Sequence, residues 1–265
     1  MARLAILGGG FMGGALAEGL IDSGWRAADI LVAEKIDDRR RHLEQHLEVA
    51  TTADAAEASE RAETVLFAVK PQDVENLLEE LKWGFGKQRL AISICAGVRI
   101  ATFERFLDQA PVVRAMPNTP AAIGLGATAV ALGTHANEDH LATAIGILEA
   151  VGKVVVVHEA QMDAVTAVSG SGPAYVFYLA ETLINAALAE GLDRDQADVL
   201  VYQTLVGAAR LLQQDPADPQ ELRARVTSPG GTTQAAIEHL QASGWARILE
   251  QAVEKARLRS EELGS

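Results

Sequence analysis

A glycine-rich segment comes directly after the first apolar run of the chain and begins a helical pattern. Gly8, Gly10 and Gly13 stand in G-x-G-x-x-G spacing between the apolar residues 4–7 and the helical pattern of residues 11–22. The first glycine of such a motif permits a tight turn, the second lets the backbone approach a pyrophosphate, and the third brings helix and strand close together. The helix N-terminus adds N–H groups that attract phosphates. This spacing in this position predicts a dinucleotide-binding unit within an α/β fold.

Short aliphatic runs alternate with helical patterns through residues 1–160. The runs are continuously apolar, which is typical of a parallel sheet covered by helices on both faces. We therefore predict an N-terminal, Rossmann-type doubly wound sheet. The predicted strands are residues 4–7, 30–32, 47–50, 64–69, 90–94, 111–114, 127–132 and 154–157, and the predicted helices between them are residues 11–22, 37–46, 72–81, 100–107 and 138–151.

Beyond residue 160 the pattern changes to helices alone. Long patterns rich in Ala and Leu cover residues 174–190, 196–213 and 246–262, and residues 214–219 are predicted to form a loop. We predict two domains, residues 1–160 with the sheet and residues 161–265 with an all-α fold. The helices are apolar on more than one face, which indicates either oligomerisation or packing against the chain's own sheet domain.

Two residues at the end of the second predicted strand bear on the choice of dinucleotide. Glu34 stands 21 residues after Gly13, and Lys35 follows it. An acidic residue here usually accepts hydrogen bonds from the adenosine ribose, whereas a nearby cation favours the 2′-phosphate of NADP. The two signals conflict, so NAD(H) and NADP(H) both stay open. The basic run at residues 39–41 is more typical of a solvated helix face.

Three further segments follow predicted strands, at the edge where ligands bind in an open α/β sheet. Lys70 is expected beside the cofactor. Pro71 is explained by the preference of proline for the first position of a helix. Cys95 has no histidine nearby in sequence to act as its base, so we expect a small wall residue rather than a nucleophile. Residues 116–120 (M-P-N-T-P) form either a pocket wall or only a stiff turn.

Composition and charge exclude several classes of function. The chain has 36 acidic and 23 basic residues, and its net charge of −13 repels nucleic acids and anionic membranes. The single cysteine excludes an intrachain disulfide, and the six histidines show no metal-ligand spacing, so no metal is expected. No apolar stretch reaches the roughly 18–20 residues of a membrane span, and glycines interrupt the apolar N-terminus. We expect a cytoplasmic protein that binds neither nucleic acid nor membrane.

A second glycine-rich segment, S-P-G-G-T-T at residues 228–233, begins a helical pattern in the C-terminal part. Backbone N–H groups at a helix N-terminus, with the hydroxyls of Ser228, Thr232 and Thr233, are suited to hold a carboxylate. Helix capping explains one of these hydroxyls, but not all three together with two glycines.

Five motifs, of which this segment is one, make the chain similar to the pyrroline-5-carboxylate reductase family. They are G-G-G-F-M-G-G-A at residues 8–15, A-V-K-P at 68–71, M-P-N-T-P at 116–120, D-A-V-T-A-V-S-G-S-G-P-A-Y at 163–175 and S-P-G-G-T-T at 228–233. The resemblance covers nearly the full length. Its last two motifs are highly specific, since other Rossmann reductases with a helical second domain share the glycine loop but not this pair.

The resemblance implies reduction of L-1-pyrroline-5-carboxylate to L-proline by NAD(P)H, the last step of proline biosynthesis. It implies a homodimer of interlocked helical domains, in some members assembled into decamers, in which each active site draws its substrate loop from the neighbouring subunit. The implied substrate-binding residues are Ser228, Gly230, Gly231, Thr232 and Thr233, with the Thr233 hydroxyl at the ring nitrogen as the catalytic group. The implied cofactor-binding residues are Leu7, Gly8, Gly9, Gly10, Phe11, Met12, Gly13, Glu34, Lys35, Ala68, Val69, Lys70 and Pro71. Glu34 departs from the small polar residues common in members that prefer NADPH.

Two other functions stay open at this point. A related imine or β-hydroxyacid reductase would have a catalytic lysine on a long interdomain helix, but no lysine lies between Lys153 and Lys255. A redox-sensing regulator would bind NAD(P) without turnover and would have no use for the segment 228–233. Oxidation of NAD(P)H in the presence of pyrroline-5-carboxylate separates an enzyme from such a regulator.

Overall fold

A computed structural model describes residues 2–264, which form eight strands and twelve α-helices. The strands are β1 (Ala2–Leu7), β2 (Ile30–Ala33), β3 (Ala50–Thr52), β4 (Ala62–Phe67), β5 (Leu90–Ser93), β6 (Val112–Met116), β7 (Gly126–Leu132) and β8 (Gly152–Val156). The helices are α1 (Phe11–Asp22), α2 (Asp37–Leu47), α3 (Ala55–Glu60), α4 (Val74–Leu81), α5 (Ile100–Phe106), α6 (Glu138–Leu148), α7 (Met162–Val165), α8 (Gly172–Ala189), α9 (Arg194–Gln214), α10 (Pro219–Arg225), α11 (Thr232–Ala242) and α12 (Trp245–Leu263).

The eight strands belong to one sheet in the order β3-β2-β1-β4-β5-β6-β7-β8. Neighbouring strands from β3 to β6 pair in parallel, so their carboxyl ends lie at one edge. The predicted doubly wound sheet is confirmed. One strand departs from it, because β7 pairs antiparallel with β6. The connection of residues 117–125 reverses the chain directly, whereas a parallel crossover needs a dozen or more residues.

The short third strand exists, but the bounds predicted for it, residues 47–50, are wrong. Leu47 is the last residue of α2, Glu48 adopts a left-handed conformation with φ of 55°, and β3 begins at Ala50. Leu47 and Val49 show the alternation of a strand, but Leu47 packs with the core at the end of α2 and Val49 is buried at the turn. The sequence patterns also miss three short helices, α3, α7 and α10, because one or two helical turns show little apolar periodicity.

The sheet separates two hydrophobic layers. On β1, Leu4 and Ile6 pack in one layer with apolar residues of α1 and α6. Leu7 packs in the other layer with Phe67 and Phe103, whose rings meet edge to face with 5.0 Å between their centroids. Successive side chains of a strand point to opposite faces, which is why a continuously apolar run is needed here. Both layers hold β1 and the first also holds α1, so the glycine-rich loop between these two elements is fixed at both ends.

The described residues form two compact units. The first runs through Ser171 and includes the chain from Ala256 onward, and the second spans Gly172–Lys255. Within the first unit, the buried Ser260 of α12 donates a hydrogen bond to Asp163 of α7 at 2.7 Å. This bond ties the last turns of α12 to the unit that contains the sheet.

The second unit contains helices alone, which confirms the predicted all-α character of this part of the chain. Its buried core is small and consists of Ile184, Ala197 and Val201. Large apolar side chains are exposed on its helices, among them Phe177 on α8 and Val199 on α9, both 68% exposed. None of the helices within residues 2–264 is both long and apolar enough to cross a membrane.

Candidate active site

The loop between β1 and α1 is held by close backbone contacts, and only glycine leaves room for them. Gly8 has φ of +111°, and a Cβ atom on it would lie 2.6 Å from the carbonyl oxygen of Ala68. A Cβ atom on Gly13 would lie 1.9 Å from the carbonyl oxygen of Gly8. The Gly8 N–H donates a hydrogen bond to the carbonyl of Ala33 at 2.8 Å. The loop is therefore fixed against the ends of both β2 and β4.

Gly10 has the opposite environment and is open on its outer side. The nearest atom to a Cβ placed there is a guanidinium nitrogen of Arg39, 4.0 Å away. Gly10 is also the N-cap of α1, which has no side-chain cap and no acidic residue in its first turn. The first N–H groups of this helix are thus available to an anion. The geometry fits the pyrophosphate of a dinucleotide.

Glu34, directly after β2, makes two hydrogen bonds that the sequence does not predict. Its side chain is 8% exposed. Oε2 accepts from the Gly9 N–H at 3.0 Å, and Oε1 accepts from the Ile36 N–H at 2.9 Å. Glu34 therefore positions the glycine-rich loop from 25 residues away in sequence. Each carboxylate oxygen keeps a second lone pair, and its contact with ribose hydroxyls stays a prediction.

A cavity of about 530 Å³ lies between α1 and α2 and includes the outer side of the glycine-rich loop. Phe11 lines it from α1, and Arg39 lines it from α2. Arg40 and Arg41 instead form ion pairs with Asp37 at the start of α2. The pattern of the basic run favours a solvated face for all three arginines. The structure singles out Arg39 as the one that faces the cavity.

Residues 68–71 follow β4 and lie beside the same loop. The Ala68 N–H donates to the carbonyl of Leu7 at 2.8 Å. The Lys70 side chain is exposed, and Pro71 begins a short 3-10 turn, the role expected for it. The structure thus brings the predicted segments 7–13 and 68–71 together. Lys35, after β2, is exposed as well.

Cys95 lies buried just beyond the end of β5, at the same edge of the sheet. Its thiol donates to the carbonyl of Phe67 at 3.4 Å, and burial raises the pKa of this thiol to about 11. A thiol with that pKa is protonated at neutral pH and is not a nucleophile, in agreement with the predicted wall residue. Within residues 2–264, no cluster of three His, Cys, Asp or Glu side chains is placed to hold a metal ion.

The segment 228–233 forms the turn before α11, in the helical unit. Gly230 has φ of +70°, and its N–H donates to the side-chain oxygen of Gln234 at 2.7 Å. The Gly231 N–H donates to the carbonyl of Ser228 at 3.0 Å, and a Cβ on Gly231 would lie 2.4 Å from the Ser228 hydroxyl oxygen. Gly230 is therefore needed for the left-handed conformation of the turn, Gly231 leaves room for the Ser228 hydroxyl, and the N–H groups of both glycines already have partners.

Thr232 and Thr233 are the first two residues of α11, and because no side chain caps this helix their N–H groups are available to a ligand. Gln234, which the sequence does not single out, holds the turn from within the helix. Its Nε2 donates to Glu238 at 2.7 Å, and this contact orients the amide so that its oxygen faces the Gly230 N–H. The only sequence signal for this role is the spacing of four residues between Gln234 and Glu238.

Comparison with protein-family models matches both parts of the chain. Residues 3–97 match the model described as NADP oxidoreductase, coenzyme F420-dependent, and residues 159–263 match the model for pyrroline-5-carboxylate reductase dimerisation. The pyrroline-5-carboxylate reductase of Mycobacterium tuberculosis is 42% identical over 287 residues, covering 99% of this chain and 97% of that protein. This chain belongs to the pyrroline-5-carboxylate reductase family. The family predicted from the sequence motifs is confirmed.

Solved structures of pyrroline-5-carboxylate reductases share the fold over the whole chain. The structure from Coxiella burnetii has a TM-score of 0.95 at 35% identity and covers 100% of this chain and 99% of its own. A pyrroline carboxylate reductase from Plasmodium falciparum, solved with NADP bound, has a TM-score of 0.88 at 28% identity and covers 100% and 98%. The match to the dimerisation model supports self-association of this chain.

Proposed function

We propose that the chain catalyses the reduction of L-1-pyrroline-5-carboxylate to L-proline with NAD(P)H, the last step of proline biosynthesis. The observation that carries the proposal is the segment 228–233, a motif of the pyrroline-5-carboxylate reductase family that here forms an uncapped helix N-terminus. A glycine-rich loop that binds a dinucleotide, such as residues 8–13, is common to many oxidoreductases and to NAD(P)-sensing regulators. The segment 228–233 has a use where a small carboxylate must be held.

Under this proposal the sheet domain, residues 1–160, binds the cofactor. NADPH or NADH supplies the hydride when bound. The open side of Gly10 leaves room for the pyrophosphate, and the N–H groups at the start of α1 donate hydrogen bonds to it. This local interaction overcomes the repulsion expected from a net charge of −13. The proposed contacts are Leu7, Gly8, Gly9, Gly10, Phe11, Met12, Gly13, Glu34, Lys35, Ala68, Val69, Lys70 and Pro71.

The helical domain, residues 161–265, binds the substrate. The N–H groups of Thr232 and Thr233 hold the carboxylate, and the turn through Ser228, Gly230 and Gly231 keeps them in place. Hydride adds readily to a C=N carbon only when the nitrogen carries a proton or a strong hydrogen bond. The imine binds already protonated, so no strong acid is required of the protein. The Thr233 hydroxyl orients the ring nitrogen, and catalysis consists mainly of alignment.

Assembly is part of the same proposal. The helical unit has a small core and exposes large apolar side chains, as expected of a surface that a second copy covers. We infer a homodimer in which each active site takes its segment 228–233 from the neighbouring subunit, with a decamer as a further possible assembly. A reducing, cytoplasmic location is supported by the single cysteine, which is buried as a free thiol.

An assay of NAD(P)H oxidation tests the proposal. We expect turnover with L-1-pyrroline-5-carboxylate and formation of proline in equal amount. The matched control is 1-pyrroline, the same imine without the carboxylate, which should react far more slowly because the turn at 228–233 has nothing to hold. NADPH binding without turnover of either imine would identify a regulator and contradict the proposal. Equal turnover of both imines would point to a general imine reductase.

A further inference from the structure

The side chain of Asn118 links the M-P-N-T-P segment after β6 to two other segments of the first unit. Its Nδ2 donates hydrogen bonds to the carbonyl oxygen of Ser169 at 3.3 Å and to the Ser169 hydroxyl at 3.2 Å. Its Oδ1 accepts from the N–H of Ala127, at the start of β7, at 2.9 Å. One amide thus joins the end of β6, the start of β7 and the segment before α8.

The Ser169 carbonyl lacks the backbone donor that it would have in a regular α-helix. Residues Thr166–Gly170 form a π-helical turn, in which the Ser171 N–H donates to the Thr166 carbonyl at 2.8 Å. In regular α-helix the Ser169 carbonyl would accept from the residue four positions on, which is Pro173 and has no N–H. Asn118 provides a donor instead and so stabilises the wide turn. Single π-helical turns occur frequently at functional sites.

The π-helical turn also packs against the end of β6. A Cβ atom on Gly170 would lie 2.9 Å from Cε of Met116, so the glycine lets the methionine approach closely. Because β6 runs parallel to β1 through β4 and β5, this contact lies at the same edge of the sheet as Gly10. With the adenosine expected beside β2, the reactive half of a dinucleotide extends towards β4, β5 and β6. The turn and the end of β6 therefore form a wall of that part of the crevice.

We propose that Asn118 is a positioning residue for hydride transfer. It acts through Ser169 and Met116, because it holds the π-helical turn against the end of β6 and so sets the shape of the wall. Hydride transfer depends steeply on the alignment of the two carbons, and a misplacement of about 1 Å can lower a rate about 100-fold. The inference rests on the proposed function, since it concerns the same crevice.

The Asn118→Ala variant tests this role. We expect kcat with L-1-pyrroline-5-carboxylate to fall about 10- to 100-fold, while the Kd for NADPH, measured by cofactor fluorescence, changes less than about threefold. A readout without cofactor or substrate is hydrogen–deuterium exchange, which should become faster for residues 119–127 and 166–171. Faster exchange in both segments with an unchanged Kd for NADPH would show that the two segments loosen together while the glycine-rich loop stays intact.

Asn137→Ala is the matched control. The Asn137 side chain accepts from the His140 N–H at 3.0 Å at the start of α6. It follows β7, which is antiparallel to β6, and so lies at the opposite edge of the sheet. We expect this variant to lower Tm through loss of a helix cap but to keep the wild-type kcat.

Asn118→Asp gives a second test, which also serves if the alanine variant does not fold. It keeps Oδ1 but replaces the amide donor with a carboxylate, which can donate to the Ser169 carbonyl only when protonated. We expect the ratio of variant to wild-type kcat to rise as the pH is lowered from about 8 to about 6.

Wild-type kcat in folded Asn118→Ala would overturn the inference, as would an equal loss of kcat in Asn137→Ala or a flat pH dependence of the ratio for Asn118→Asp. A wild-type protein that binds NADPH but does not reduce the imine contradicts the proposed function, and the inference falls with it. A wild-type protein that reduces the imine, with unchanged kinetics in the Asn118 variants, contradicts the inference alone.

Discussion

The Glu34 carboxylate accepts a hydrogen bond from the backbone N–H of Gly9, with 3.0 Å between Oε2 and N. This contact joins the end of β2 to the loop that we propose binds the pyrophosphate. A substitution at Glu34 therefore changes two properties at once. It alters the charge beside the expected ribose position, and it releases the middle of the glycine-rich loop.

We expect the wild-type protein to use NADH nearly as well as NADPH. Glu34 repels a 2′-phosphate while Arg39, 3.8 Å from it, attracts one, and each charge at such a rim is worth about 1 kcal/mol. Glu34→Ser should therefore raise kcat/KM for NADPH relative to NADH about fivefold. Steady-state kinetics with both cofactors measures this ratio. A wild-type preference for NADPH above about 100-fold would contradict the expectation.

Glu34→Gln separates the two effects, because it removes the charge but keeps an oxygen that can accept from the Gly9 N–H. A change in the cofactor ratio of equal size in both variants would assign the preference to the charge. A change in the serine variant alone would assign it to the position of the loop. An unchanged ratio in both would show that Glu34 does not face the ribose.

The glycines of the first loop should fail in different ways when replaced by alanine. Gly13→Ala places a Cβ 1.9 Å from the Gly8 carbonyl oxygen and should lower the free energy of unfolding by about 3 kcal/mol or more. Gly10→Ala has space and a φ of −72°, which alanine adopts readily. We expect it to keep its stability but to lose at least about tenfold in NADPH affinity, since the methyl group would occupy the position that we propose for the pyrophosphate.

Gly146→Ala on α6 is the control for these two variants, because nothing lies within 4 Å of its added Cβ. It should raise stability by about 0.5–1 kcal/mol through helix propensity and leave NADPH affinity unchanged. Thermal unfolding and cofactor titration measure both quantities. Equal affinity in Gly10→Ala and the wild type would place the pyrophosphate elsewhere.

Thr233→Ala should lower kcat much more than it weakens NAD(P)H binding. Loss of one contact to a developing charge is worth about 2–3 kcal/mol, or about tenfold to a few hundredfold in rate. Thr227→Ala is the matched control, because its hydroxyl donates within the preceding helix, to the carbonyl of Arg223 at 2.6 Å. Single-turnover kinetics would detect the difference. An unchanged rate in Thr233→Ala would remove this hydroxyl from the mechanism.

The chain should sediment with at least twice its mass of 28.1 kDa. Phe177→Glu introduces a charge on the exposed apolar face of α8 and should dissociate the assembly. It should also abolish activity if each site is shared between two subunits, as we propose. Trp83→Glu is the control, because Trp83 is 89% exposed but lies outside the helical unit. A fully active monomer in sedimentation would exclude shared sites.

Local sequence patterns predict the elements that depend on neighbouring residues. The spacing of Gly8, Gly10 and Gly13 predicts the glycine-rich loop between β1 and α1. The apolar runs locate seven of the eight strands. Both signals are local, because turn geometry and strand burial are set over a few residues. The pattern fails at residues 47–50, where a helix end and a strand show the same apolar alternation. It also cannot indicate the direction of β7, since strand direction depends on where the connection leads.

The contacts that complete the candidate site join residues far apart in the chain. Glu34 to Gly9 spans 25 residues, and Asn118 to Ser169 spans 51. Each is a hydrogen bond between a buried or half-buried side chain and a group that the fold has placed nearby, and no residue spacing encodes it. The sequence by itself determines the fold class and the two glycine-rich turns, because apolar periodicity and glycine spacing act over a few neighbouring residues. Its motifs determine the family. Only the tertiary structure decides which polar groups hold those turns in position, because that depends on which strands and helices become neighbours.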